Sequence, residues 1–129
     1  MPTYLIAIVC LVVAAGCTQK TEAPPPGHVA APTAAAATAR ISGTEAKRLV
    51  AAGAQLVDVR SPEEFAEEHI PGAQNIPVNE LDGKLASLSK DKPVVVYCQA
   101  GGRATVAAQH LSAAGFQVHN LGGIAAWDK

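Results

Sequence analysis

The stretch Pro93-Val94-Val95-Val96-Tyr97-Cys98-Gln99-Ala100-Gly101-Gly102-Arg103 constrains this chain more than any other. A short run of consecutive β-branched residues fits a strand buried on both faces, and such strands belong to parallel sheets. The alanine-rich segment from Arg103 to Ala114 predicts a helix that stops at Gly115, a residue suited to the position past a helix end. Cys98 then falls where strand hands over to helix, at the sheet edge where α/β proteins hold ligands.

A cysteine alone at such a turn is more often a buried core thiol than a nucleophile. Three neighbours change that balance. Cys98 immediately precedes a helix start, where unpaired N–H groups and the helix dipole favour a thiolate over a thiol. Ala100-Gly101-Gly102 carries almost no side chain, so successive N–H groups can converge into an anion-binding nest. Arg103 places a cation at a helix N-terminus, against the dipole. Either an anion compensates it, thiolate or bound substrate, or it pairs with a nearby carboxylate and holds the loop.

The remainder of residues 41–129 alternates strands with helices, which predicts an α/β fold with a small parallel sheet flanked by helices on both faces. Ser42-Gly43-Thr44-Glu45 and Ser61-Pro62-Glu63-Glu64 are capping-box patterns that open two helices, the second ending near His69 because Pro71-Gly72 forces a turn. Strands are expected at Gln55–Val59, Ala73–Pro77, Pro93–Tyr97 and Phe116–Asn120. Leu81, Leu85 and Leu88 at helical spacing predict a helix over 79–88, and Ile124–Trp127 a terminal helical turn. Asp58 and Arg60 end their strand at the same sheet edge as Cys98, as an ion pair bracing the loop or as substrate contacts. His69 reads as a turn-stabilising hydrogen-bonder rather than a general base, and Trp127 as core rather than a substrate platform.

Three ordered blocks resemble the rhodanese family of sulfurtransferases. Cys98-Gln99-Ala100-Gly101-Gly102-Arg103 is similar to its active-site loop. Val57 to Phe65 followed by His69-Ile70-Pro71-Gly72-Ala73-Gln74-Asn75-Ile76-Pro77 is similar to its upstream motif, and Gly115-Phe116 with Leu121 to Trp127 to its closing motif. Glu68 stands where the family often has glycine, which predicts a local difference in the turn. The resemblance implies a rhodanese-like fold and a single-domain sulfurtransferase with Cys98 as nucleophile. Gln99, Ala100, Gly101, Gly102 and Arg103 would bind substrate, supported by Asp58 and Arg60. The implied partners are a small-molecule sulfur donor, such as thiosulfate, a persulfide or a polysulfide, and a thiol or cyanide-like acceptor, with a protein acceptor also open. No cofactor is implied. Related phosphatases and arsenate reductases carry five residues between cysteine and arginine; here there are four, Gln99 to Gly102, a cradle suited to sulfur over phosphate. A non-catalytic persulfide-binding or redox-sensing module is the other alternative.

Composition narrows the classes further. With a net charge of −1 and no basic stripe or aromatic platform, nothing marks a nucleic-acid binder. Of the three cysteines, Cys10 and Cys17 lie in the N-terminal segment, so Cys98 has no disulfide partner in the globular part. His69, His110 and His119 are scattered, which argues against a structural zinc site.

Residues 1–17 read as a targeting segment. Leu5 to Ala15 is unbroken apolar, too short to span a bilayer but suited to a secretory signal. The ending Val13-Ala14-Ala15-Gly16-Cys17 resembles the lipobox of bacterial lipoproteins, which implies lipid attachment at Cys17; a secreted soluble protein or an uncleaved anchor also fits. Of residues 18–40, 16 of 23 are Ala, Pro or Thr, the composition of an extended linker reaching about 70 Å. The expected location is extracytoplasmic, lipid-anchored at a bacterial membrane and facing the periplasm or the cell exterior.

Overall fold

The computed structural model describes residues 38–129. The signal-like residues 1–17 with Cys17, and residues 18–37 of the linker, lie outside them. Four strands, β1 (Gln55–Asp58), β2 (Gln74–Asn75), β3 (Val94–Cys98) and β4 (Val118–Gly123), form a fully parallel sheet in the order β2-β1-β3-β4. Among the described residues, four further elements are helices: α1 (Gly43–Ala51), α2 (Pro62–Glu67), α3 (Leu81–Lys84) and α4 (Gly102–Ala113). The chain also makes 3-10 turns at Leu85–Ser87 and Ile124–Ala126. At the outer edge of β4, Arg40 makes a parallel bridge to Asn120, and the Ile41 N–H donates to the Asn120 carbonyl at 2.8 Å.

β3 explains why the core has two halves. All five of its residues are buried, and their side chains alternate between sheet faces. Val94, Val96 and Cys98 join a cluster with Ala104, Ala107, Ala108 and Leu111 of α4. Val95 and Tyr97 join a second cluster with Ala46 of α1, Leu56, Ile70 and Leu121. Each fully buried valine or leucine contributes about 1.5–3 kcal/mol of apolar burial, so the run that identified the strand also anchors both layers. The alanines of α4 let that helix lie close on the sheet and hold its N-terminus against the end of β3.

The helix ends follow local chemistry. Ser61 and Glu64 form a full capping box: Glu64 N–H donates to Ser61 Oγ at 3.3 Å and Ser61 N–H to Glu64 Oε2 at 3.1 Å. At α1 only half forms, because Ser42 caps the Glu45 N–H while the Glu45 carboxylate turns to Arg48. Gly43 presses so tightly on the carbonyls of Ala126 and Trp127 that any side chain there would collide with backbone.

Two expectations are corrected. The helix over 79–88 is interrupted: α3 spans four residues and passes into the 3-10 turn at Leu85, so only Leu81 and Leu88 are fully buried while Leu85 packs at the margin. Gly83, the weakest helix former in that segment, sits inside α3. The last strand also runs later than expected, through Gly122 and Gly123. Its register slips between Val96 and Tyr97, which pair with Asn120 and Gly122. The Asn120 side chain accepts the Gly122 N–H at 2.9 Å, and Gly122 takes a φ of +86°, which a glycine tolerates.

Candidate active site

Cys98 is the last residue of β3 and is 1% exposed. The loop Gln99–Gly101 then turns back so that α4 starts directly over it. The Gly101 N–H donates to Cys98 Sγ at 2.9 Å, so the sulfur already accepts one bond from the expected nest. Gly101 adopts a φ of +107° as the residue before α4, a left-handed conformation that explains a glycine at this position. Its carbonyl accepts from both the N–H and the hydroxyl of Thr105, each at 3.0 Å, and Asn120 Nδ2 donates to that hydroxyl at 3.2 Å. Behind the loop, a Cβ on Gly123 would lie 2.8 Å from the Gln99 carbonyl. Gly123, the last residue of β4, is therefore what lets the loop settle so close to the sheet.

Two arginines flank this loop. Arg60 is buried with Asp58: its Nε lies 3.1 and 3.0 Å from the two carboxylate oxygens, and its Nη2 lies 2.7 Å from Oδ2. The same guanidinium donates to the Gln99 side-chain oxygen at 3.0 Å and to the Glu68 carbonyl. It thus ties β1 to the Cys98 loop and to the end of α2, the geometry of a brace. The hydrogen bonds to Asp58 hold the Arg60 charge more firmly, raising its pKa above the usual arginine value. Asn75 Nδ2 adds bonds to the Asp58 and Arg60 carbonyls at 3.2 and 3.0 Å. Glu68 is extended, with φ of −157° and ψ of 136°, so its carbonyl can reach Arg60 without needing a glycine there.

Arg103 lies on the other side, in the first turn of α4. Its guanidinium makes a bidentate pair with Glu64 at 2.6 and 2.8 Å, with the two side chains 40% and 32% exposed. The carboxylate alternative therefore accounts for a cation at a helix N-terminus. Those hydrogen bonds from Arg103 hold the Glu64 carboxyl at about 2, well below the usual carboxylate range. Glu64 serves two ends, capping α2 and orienting Arg103, and its second role had no signal in the sequence beyond an acid in a first turn.

Two clefts open beside the loop, and Cys98 lines neither. One, of about 200 Å³, runs between Arg60, Ser61, Pro77, Asn79 and Arg103. The other, of about 500 Å³, lies between His69, Pro71, Gln99, Ile124 and Trp127. Gln99 and Arg103 therefore face different clefts. His69 stacks on Phe65 with ring centroids 4.0 Å apart, and its Nδ1 donates to the Phe65 carbonyl at 2.9 Å. That bond matches a turn-stabilising role. Trp127 both packs on the second core cluster and lines the larger cleft. Gly102 is exposed at the start of α4, and Ala100 is exposed at the loop tip.

A buried cysteine at a strand end, bonded by the N–H of a small-residue loop and flanked by two paired arginines, matches a known family. Residues 42–129 fit the Rhodanese-like domain. The chain belongs to the rhodanese-like family. It is 46% identical over 76 residues to the uncharacterized protein YqhL of Bacillus subtilis, covering 57% of this chain and 60% of that one. It is 42% identical over 71 residues to the thiosulfate sulfurtransferase PspE of Escherichia coli, covering 53% of this chain and 68% of PspE. Among solved structures, a rhodanese-related protein of Thermoplasma volcanium superposes with a TM-score of 0.63 at 32% identity, over 69% of this chain and 89% of that one. The rhodanese-like fold, a parallel four-stranded sheet with helices, is thus common to chain and relatives.

Proposed function

We propose that this rhodanese-like domain is a sulfurtransferase that moves sulfane sulfur through a persulfide on Cys98. The observation that carries the reading is the bond from the Gly101 N–H to Cys98 Sγ at the start of α4, because that site favours an anionic sulfur. The thiolate attacks the outer sulfur of thiosulfate, or of a persulfide or polysulfide. A new sulfur–sulfur bond forms on Cys98, the donor's own bond breaks, and its electron pair leaves with sulfite or with the donor thiolate. A thiol, cyanide or a protein thiol then attacks the outer sulfur of the persulfide and restores the Cys98 thiolate. This is two-step covalent catalysis with ping-pong kinetics. The loop N–H groups stabilise negative charge on sulfur before and after transfer. The four-residue span from Cys98 to Arg103 supports a cradle for sulfur over one for phosphate.

Transfer from thiosulfate to cyanide by the purified chain, lost in Cys98→Ser, is the expected result. Protein that transfers from none of thiosulfate, polysulfide and persulfide donors overturns the reading. Mass spectrometry of donor-treated protein checks the intermediate, which appears as one added sulfur on the peptide containing Cys98. The proposed setting is extracytoplasmic, with the domain held at a membrane by lipid on Cys17. Labelled palmitate should enter the wild-type protein and not Cys17→Ala; equal labelling of both removes the anchor.

A further inference from the structure

Two ion pairs flank the Cys98 loop, and a third arginine lies against it. Asp58 pairs with Arg60 on β1, and Glu64 of α2 pairs with Arg103 of α4. Arg40, at the end of the Ala/Pro/Thr-rich segment, has no carboxylate partner among the described residues, yet it does not point away into solvent. Its side chain lies across Gly101 of the loop and Gly122 of β4. A Cβ on Gly101 would come within 2.8 Å of its Cζ, and one on Gly122 within 3.1 Å of its Cδ. Its Nη2 donates to the Ala100 carbonyl at 3.4 Å, a long bond.

That carbonyl belongs to the peptide unit whose N–H is the Gly101 donor to Cys98 Sγ. The unit is trans, as are all peptide bonds among the described residues, so its C=O and N–H point in opposite directions. The guanidinium therefore sits at one end of a peptide dipole and the sulfur at the other. A cation drawing on the carbonyl oxygen polarises the group and strengthens the N–H bond on the far side.

We propose that Arg40 is a positioning residue for catalysis: through the Ala100–Gly101 peptide it stabilises the Cys98 thiolate and fixes the loop that holds it. Arg40 touches neither the sulfur nor a donor. The proposal rests on Cys98 working as a thiolate, but its test does not depend on sulfur transfer. It also gives Gly101 and Gly122 a shared purpose, since both leave room for the arginine stem.

The thiolate of Cys98 is titrated in the full chain by its ultraviolet absorbance, with the Cys98→Ser protein subtracted to remove Cys10, Cys17 and the tyrosines. Arg40→Met keeps the aliphatic packing against the glycines and removes the charge. Its midpoint should move to higher pH by about half a unit, the scale of a partly screened charge plus one cooperatively strengthened bond. Arg40→Lys should recover most of that shift. Added salt should move the wild-type midpoint upward and leave Arg40→Met nearly unmoved, because Arg40 is exposed and the other two arginines are paired. An Arg40→Met midpoint equal to wild type overturns the proposal, as does a wild-type midpoint indifferent to salt if the variant does not fold. Loss of sulfur transfer with an unchanged midpoint would likewise place Arg40 outside the thiolate's stabilisation. A shifted midpoint in a protein with no sulfur transfer would support the proposal while removing the enzymatic reading.

Discussion

The two sides of the catalytic loop hold the same kind of ion pair in opposite surroundings. On the β1 side, Asp58 and Arg60 have side chains 0% and 3% exposed, and the arginine is committed to three acceptor groups: the Asp58 carboxylate, the Gln99 side-chain oxygen and the Glu68 carbonyl. On the α2 side, the Glu64 and Arg103 side chains are 32% and 40% exposed and bind each other in a simple fork. A buried pair is weak evidence of net stabilisation, but removing one member leaves an uncompensated charge in the interior. An exposed pair is screened and contributes little. The difference separates a fixed brace from an exposed pair: Arg60 ties β1 to the loop, whereas Arg103 is held by a single carboxylate in partial contact with water.

The strongest way to break this contrast is to remove one partner from each side. Asp58→Ala should destabilise the protein by about 3–5 kcal/mol in urea denaturation, because Arg60 is left buried and unpaired. Replacing both, Asp58→Ala with Arg60→Met, should recover much of that stability but not transfer activity, since the ties to Gln99 and Glu68 stay lost. A double variant no more stable than the single one would show that the pair itself carries the stability. Next in size is Gly123→Ala. Its methyl group would meet the Gln99 carbonyl, so the loop must shift, at a cost of about 1–3 kcal/mol and up to about 100-fold in transfer rate. Near-normal kinetics in that variant would mean that the loop tolerates displacement.

Arg103→Met should barely move the denaturation midpoint while lowering the kcat/KM for thiosulfate by about 10- to 100-fold, the reverse of the Asp58→Ala pattern. Equal losses of stability and activity would erase the distinction between the two arginines. The smallest effects are those of pH. Glu64 is held at about 2 by Arg103, below its ordinary value of 4.5, so its contribution to stability is complete above that ordinary value and disappears as pH falls toward 2. His119 behaves alike at higher pH. Burial lowers its pKa from 6.5, and its buried Nε2 has no hydrogen-bond partner among the described residues. Protonation therefore favours the unfolded chain, and stability should decline as pH drops below 6.5. Comparing denaturation curves of wild type, Glu64→Gln and His119→Gln across pH separates the two windows.

Much of the fold was legible because side-chain burial and backbone preference coincide in it. Val94–Val96 are β-branched and buried on both faces, and Ser61-Pro62-Glu63-Glu64 forms its cap from four adjacent residues. What stayed hidden depended on contacts across the chain. Gly122 and Gly123 fell beyond the expected end of the last strand, yet they extend β4, with Gly122 against Arg40 and Gly123 against the Gln99 carbonyl. The leucine spacing over 79–88 implied one helix, while α3, with Gly83 inside it, gives way to a 3-10 turn at Leu85. In the site, Cys98 and its small-residue loop could be read directly. The carboxylate for Arg103 could not, since it lies 39 positions away on another helix. Arg40 was obscured for a different reason: its neighbours in sequence are linker-like, and only its neighbours in space connect it to the sulfur.

The tight seat of Gly43 against Ala126 and Trp127 has a consequence for how such a domain can be assembled into larger chains. It brings the beginning of the first helix and the closing turn side by side, so the polypeptide enters and leaves almost at one point. A unit with adjacent ends can be spliced into a host loop without stretching either partner, and it can be re-cut elsewhere. Linking Lys129 back to Arg40 through a glycine-rich linker and opening the chain in the exposed turn at Lys90–Lys92 should preserve the sheet order and the Cys98 loop. The numbering would change completely, and the place where sulfur is held would not.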